Sequence, residues 1–411
     1  MKKTKVLACG LLMSFCLTIG APAYAADTTA ENASATFNMQ QVQDLVIKKN
    51  SSNKTLQLSI DALKIKRASI NDTKDLANGQ SGNAAYFREQ MSKAEASGNN
   101  ANYQYWAELY EAAVSAAGNI DTDELKYSLD SIDDSLDDTK KSASDLKVDL
   151  ALTASVMYTS ILEQQQNIDT LQANLDLLLK QREIAQLRID NGMATSSDYE
   201  DANINTTTLA SNLTQAKIAL TDTKRTLNDM MGRDLNAPIE LAPFEVDETI
   251  YPAPIVNSET VSQATEDSYT IYQLKREIDN LKVKAKETDD STTKKDYANQ
   301  IAQKELELSQ SKTNVDTTLK AKADAITNKG NVYRTAMAAY NKAVTDADYA
   351  KMKLDLGMIS QLEYQQQEAT LLEKKAAQTT AAYNYYFARL EYDYYKNGVS
   401  LTNYNQVKSL V

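Results

Sequence analysis

The sequence predicts an all-α protein built from long antiparallel coiled-coil helical hairpins in two tandem repeats, with little or no β-strand. Three observations predict it. After the first 25 residues every proline, Pro238, Pro243, Pro252 and Pro254, falls in one stretch of fewer than twenty residues, which leaves a long proline-free run on either side. Apolar residues recur through those runs at helical period. A short segment, Asn191-Gly192-Met193, returns 165 positions later as Leu356-Gly357-Met358.

Residues 1–25 read as a cleaved signal peptide. Lys2, Lys3 and Lys5 precede an apolar run from Val6 to Ile19, and Ala23-Tyr24-Ala25 is the small-residue pattern of a cleavage site, so the mature chain should begin near Ala26. The run is too short for a membrane span. Both cysteines, Cys9 and Cys16, lie inside it. Only five residues precede Val6-Leu7-Ala8-Cys9, too few for a lipid-attachment signal.

Residues 26–237 form the first repeat. From about 146 to 191 two rows spaced by sevens, Leu150, Met157, Gln164, Leu171, Leu178, Ala185 and Ala154, Ile161, Ile168, Leu175, Arg182, Ile189, make a coiled-coil seam broken at Gln164 and Arg182. Such a helix would be roughly 70 Å long at 1.5 Å per residue. The return segment carries Leu209, Ala216, Thr223 and Met230 against Leu213, Leu220 and Leu227. Residues 238–256 are a proline-containing linker, and 257–411 form the second repeat.

Internal similarity supports that division. Ala185, Asp190, Gly192, Met193 and Tyr199 match Ala350, Asp355, Gly357, Met358 and Tyr364 at a displacement of 165, whereas Ile60–Lys66 matches Ile278–Lys284 at 218. The first repeat therefore holds an insertion, placed at about 77–145. It reads as short helices separated by polar turns near Gly79, Gly98 and Gly118, with a similar turn near Gly330 in the second repeat.

Composition excludes much chemistry. There is no histidine, and with the cysteines confined to the signal there is no thiolate, so the usual general base and the usual zinc and iron–sulfur ligands are missing. Neither an enzyme nor a cofactor or metal site is expected. Lys and Arg number 44 against 56 Asp and Glu, a net charge of −12, which becomes −15 without the three signal lysines. Nucleic acid would be repelled. The acidic stretch from Asp130 to Asp138 lacks the central glycine and terminal glutamate of a calcium loop and reads as a solvated helix face. The tyrosines at 383, 385, 386, 392, 394 and 395 read as helix packing, and Trp106, among Tyr103, Tyr105 and Tyr110, as a small packing cluster.

The repeated turn can be read residue by residue. Arg188 lies in the last turn of the incoming helix, where a cation suits the dipole, and Gly192 can take the left-handed cap. Thr195 then caps the outgoing helix, Asp198 sits where a capping box needs its acid, and Ala194 and Tyr199 occupy the staple positions. The second copy repeats this with Lys353, Gly357, Ser360, Glu363, Ile359 and Tyr364. On the residues alone such a turn serves equally as a plain connection or as a docking tip.

This doubled arrangement resembles the TolC-like outer-membrane efflux proteins. In that family the turn often reads basic residue, Gly, Ser or Thr, acid, apolar residue; here that is Arg188, Gly192, Thr195, Asp198, Tyr199 and again Lys353, Gly357, Ser360, Glu363, Tyr364. Leu227-Asn228-Asp229-Met230-Met231-Gly232 looks like the family's close of the first half. The resemblance covers most of 37–411. It implies a homotrimeric tube in the cell envelope whose tips, including Met193 and Met358, meet a periplasmic adaptor (a membrane fusion protein) linked to an inner-membrane pump. Residues 77–145 and 285–330 lack the alternation of the family's barrel strands, which implies a variant without them. The other reading is a non-transporting coiled-coil protein of the cell surface.

Overall fold

The computed structural model describes residues 35–97, 100–118, 122–193, 195–247, 249, 251–401 and 404–406. The expected signal peptide lies outside them. The first repeat runs β1 (Ala35–Phe37), α1 (Met39–Lys49), α2 (Ser51–Ala96), α3 (Asn100–Gly118), α4 (Thr122–Asp190) and α5 (Ser196–Met230). After β2 (Ile239–Leu241) and the proline-containing stretch come α6 (Ser258–Asp267), α7 (Tyr269–Glu287), α8 (Ser291–Asp355) and α9 (Gln361–Lys396). The all-α expectation holds: β1 and β2 are three residues each and pair in parallel, Phe37 opposite Leu241. Among the described residues no helix is long and apolar enough to cross a membrane.

Two long hairpins dominate, α4 with α5 and α8 with α9, and α4 is the hub. Ten consecutive residues of α4, 152–161, are all buried, and none of them is charged. A helix shielded on every side needs its polar members satisfied locally. Thr153, Ser155 and Thr159 do this by donating to carbonyls four residues back, those of Asp149, Ala151 and Ser155. Around this stretch pack α1, the end of α5 and the end of α9. Tyr158, fully buried, places its hydroxyl between the carbonyls of Phe37 (3.0 Å) and Ala242 (2.5 Å), tying both strand ends to the hub.

The predicted seam is present. Leu150, Ala154, Met157, Ile161 and Ile168 are buried against Leu213, Leu220 and Leu227. Its two polar breaks cross to the return helix: Gln164 donates to Thr223 Oγ1 at 3.1 Å and Arg182 to Asn203 Oδ1 at 3.2 Å. Polar pairs at the same level in facing rods favour one register over a slip.

Three expectations need correcting. The helix expected to start near 146 begins at Thr122 and is 69 residues long, roughly 100 Å at 1.5 Å per residue. No turn occurs at Gly79, which lies inside α2, or at Gly330, which lies buried inside α8. One glycine costs a helix about 1 kcal/mol, too little to end a rod held by neighbours along its length. The acidic stretch is not simply a solvated face either. Arg67 of α2 donates to both oxygens of Asp133, at 2.5 and 3.0 Å. Arg276 of α7 binds Asp138 at 3.0 Å and lies 3.4 Å from Asp134. Each repeat thus grips α4 through one arginine.

The aromatic residues pack as expected, with partners from elsewhere in the chain. Tyr383 donates to the Phe244 carbonyl at 2.9 Å and Tyr385 to that of Tyr251 at 3.2 Å, so α9 clamps the proline-containing stretch. Trp106 stacks on Phe87 of α2 at 5.9 Å and meets Tyr86 and Tyr105 edge-on, rather than gathering Tyr103 and Tyr110.

Candidate functional site

The two repeated turns are built by the same hydrogen bonds. At the first, Met193 N donates to the Arg188 carbonyl at 2.7 Å and Gly192 N to that of Ile189 at 2.8 Å; at the second, Met358 N donates to Lys353 at 2.8 Å and Gly357 N to Leu354 at 2.9 Å. This is the Schellman closure, and it requires a left-handed residue, supplied by Gly192 at φ 68° and Gly357 at φ 69°. Sequence analysis assigned Arg188 and Lys353 to the helix dipole. Their backbone carbonyls also receive the closing bond, while both side chains are exposed.

The outgoing helices start differently in what can be described. Ser360 and Glu363 form a full capping box: Ser360 Oγ accepts from Glu363 N at 3.2 Å, and Glu363 Oε2 accepts from Ser360 N at 2.7 Å. The Ser360 backbone N–H holds the Glu363 carboxyl below the usual glutamate range. Ile359 and Tyr364, in the staple positions, are both half-buried. At the first turn α5 follows Thr195 directly, and Tyr199 is half-buried. Ala194 and the side chain of Asp198 lie outside the described residues.

Both turns sit at the same end. On the hub, Gln166 of α4 donates to Thr379 of α9 at 3.3 Å, and α9 descends where α4 rises. Continuing that register brings Gln361, the first residue of α9, level with Ile184, so the second turn lies at the same end as the first, within about two helical turns of it. Their caps expose apolar groups: Met193 is 72% and Met358 68% accessible, joined by Leu187 and by Leu356 at 73%. Leu187 was not among the tip residues expected from the sequence, and Leu356, quoted there as part of the repeated turn, was not read as part of its surface. The available signal was their place in the last turn, off the seam rows, where a polar residue would cost nothing. Below the first turn a groove of about 660 Å³ runs between α4 and α5, lined among others by Leu179, Arg182, Glu183, Leu187 and Tyr199.

Two further ends, unflagged by the repeat, use the same closure. Gly232 (φ 66°) follows α5 and Gly398 (φ 66°) follows α9. They differ from the tip glycines in surroundings: a Cβ at Gly192 or Gly357 would meet nothing within 4 Å, whereas at Gly232 it would crowd Lys49 and at Gly398 it would overlap the Asp267 carbonyl. Two helix ends are packed into the body and two are presented to solvent.

No protein-family model matches the sequence, and no curated protein matches it. Solved structures do. A membrane protein from Pseudomonas aeruginosa aligns with a TM-score of 0.51 at 11% identity over 93% of this chain and 99% of its own. The Campylobacter jejuni CmeC outer membrane channel aligns with a TM-score of 0.49 at 13% identity over 96% of this chain and 97% of its own. At 11% identity the likeness to the Pseudomonas aeruginosa protein is one of fold. That fold, two long helical hairpins in tandem, is the one expected of a TolC-like chain.

Proposed function

We propose that the chain is an outer-membrane-factor-type component of an efflux or secretion conduit, exported to the cell envelope by cleavage after Ala25. In this reading copies assemble as a homotrimer around an axis parallel to the rods. The tips formed by Arg188, Gly192, Met193, Thr195, Asp198 and Tyr199, and by Lys353, Gly357, Met358, Ser360, Glu363 and Tyr364, then receive the helical hairpin of an adaptor that leads to an inner-membrane pump.

The observation that carries it is the presentation of two turns at one end, closed by the same hydrogen bonds and each capped by an exposed methionine. A plain connection between helices needs the glycine and the caps. It has no need of Met193, Met358, Leu187 and Leu356 in solvent, and an apolar surface concentrated at one end marks a contact surface. That favours a docking tip over a purely structural coiled coil.

The test uses mature protein and the helical-hairpin fragment of a membrane fusion protein from the same organism. Proline cannot take φ near 68° and lacks the N–H that each closure uses, so Gly192→Pro or Gly357→Pro should abolish hairpin binding. Asp133→Ala, at the far end of α4, should leave it unchanged. Wild-type affinity in both proline variants rules out the docking role, and a mature chain that sediments only as a monomer rules out the tube.

A further inference from the structure

A cleft of about 510 Å³ opens where α4, the junction of α6 and α7, α8 and the chain after α9 converge, so both repeats line it. Its floor is apolar, with Ala264 and Val315 buried. One face of α4 forms a wall through Asp138, Lys141 and Asp145, spaced three and four residues apart. The charges on that wall are already matched. Asp138 accepts from Tyr269, Gln273 and Arg276, and Lys141 donates to Asp145 and to the Gly398 carbonyl. An incoming anion therefore finds the cleft's one lysine engaged, and an incoming cation finds both carboxylates engaged.

What the cleft leaves open is neutral. Among the described residues the side chains of Ser268, Thr270, Ser311 and Asn314 form no hydrogen bond, although all four line it. Ser142, also in the lining, shows the usual alternative for a helical hydroxyl, donating to the Asp138 carbonyl four residues back at 2.8 Å. Ser311 lies well inside α8 and forgoes that bond. Thr270 and Asn314 are exposed, whereas Ser268 and Ser311 are half-buried, as are Tyr269 and Tyr395, which complete the lining.

We propose that this cleft binds a neutral saccharide. A pyranose carries hydroxyls round its edge and C–H groups on its faces. The edge meets three hydroxyls and an amide, and a face meets the apolar floor and the tyrosines. Sugar hydroxyls both donate and accept, as do the side chains of Ser268, Thr270, Ser311 and Asn314, so each pair can form in either sense. A hydrocarbon ligand would cut those four groups off from water with nothing in exchange. The inference is independent of docking at the tips.

The test titrates mature protein with maltotriose, cellotriose and chitotriose, and separately with inorganic phosphate and spermidine, by calorimetry and saturation-transfer NMR. At least one trisaccharide should bind, and neither charged probe should. Asn314→Leu removes one amide at an exposed helix position and should weaken binding about five- to tenfold, while Thr313→Leu, next to it on α8 but outside the cleft, should leave it unchanged. The bound sugar should also slow hydrogen exchange in the segment 397–400. Retention on insoluble chitin, cellulose or amylose that the matching trisaccharide competes off assigns the ligand to a polymeric glycan. Binding of the trisaccharide without retention assigns it to a free sugar, and either result upholds the proposal. No binding of any of the three, equal affinity in Asn314→Leu, or binding of phosphate or spermidine in their place overturns it. A chain that binds sugar yet fails to bind an adaptor hairpin loses the docking role alone.

Discussion

Replacing Gly398 with alanine, beside the same change at Gly357, separates backbone strain from packing. Both glycines close a helix with nearly the same φ, 66° and 69°, so a left-handed alanine costs about 1 kcal/mol at each. At Gly357 nothing is added, because the new Cβ has open space. At Gly398 it would lie 1.9 Å from the Asp267 carbonyl oxygen and 2.6 Å from its carbon, so the last turn of α6 or the chain after α9 must move by more than 1 Å. Overpacking of that kind adds about 1–3 kcal/mol, giving about 2–4 kcal/mol for Gly398→Ala against about 1 for Gly357→Ala. The displaced segment is held by Lys141 donating to the Gly398 carbonyl at 2.9 Å and by Tyr404 N donating to Asp149 at 2.8 Å. In thermal melts a chain of this length shifts by roughly 1–1.5 °C per kcal/mol, so hydrogen exchange is the sharper assay. The Tyr404 amide should lose protection in Gly398→Ala and keep it in Gly357→Ala. Equal losses of stability at the two sites, with Tyr404 protected in both, would refute the packing argument.

Arg276→Ala should loosen α7 from α4 by about 1–2 kcal/mol, less than a fully buried pair costs because Asp138 is more than a third exposed; urea titration of wild type and variant measures it. The same contact carries a pH dependence. Burial works to raise the Asp138 pKa, but hydrogen bonds from Tyr269, Gln273 and Arg276 outweigh it and leave the carboxyl below its ordinary range. Its contribution is therefore present above the unfolded aspartate value and lost as pH falls through the lower folded one, a loss that Arg276→Ala should reduce. Glu163 works in the opposite sense. Burial between α4 and α9 raises its pKa, only partly offset by Thr380, so its contribution is full below the unfolded glutamate value and lost as pH rises through the folded one. Glu163→Gln should raise the melting temperature by a degree or two at pH 7.5 and leave it unchanged near pH 4.

Much of the fold was legible because helices are local. Seven-residue spacing in 150–189 gave the seam, and Gly192 and Gly357 with their flanking caps gave both turns. The charge-free run at 152–161 was also a readable sign of a helix shielded all round. The Asn397-Gly398 end could have been found the same way, since it repeats Asn191-Gly192, but it lacked the outgoing helix that made the tips conspicuous. Glycine was over-read: Gly79 and Gly330 look like turns in a window of a few residues and are carried through by rods of 46 and 65.

What the sequence determined by itself was thus period, punctuation and the doubling of one hairpin, each encoded within a few turns of chain. Only the tertiary structure decided which distant groups meet. Arg67 finds Asp133 across 66 residues and Arg276 finds Asp138 across 138, turning an acidic face into the grip on the hub. The register of α9 on α4 brings both tips to one end, and the crowding at Gly398 makes one of four like glycines irreplaceable. Periodicity fixes which face of a helix is apolar. It leaves open which rod covers that face and at what height, because those depend on the summed packing of segments far apart in the chain.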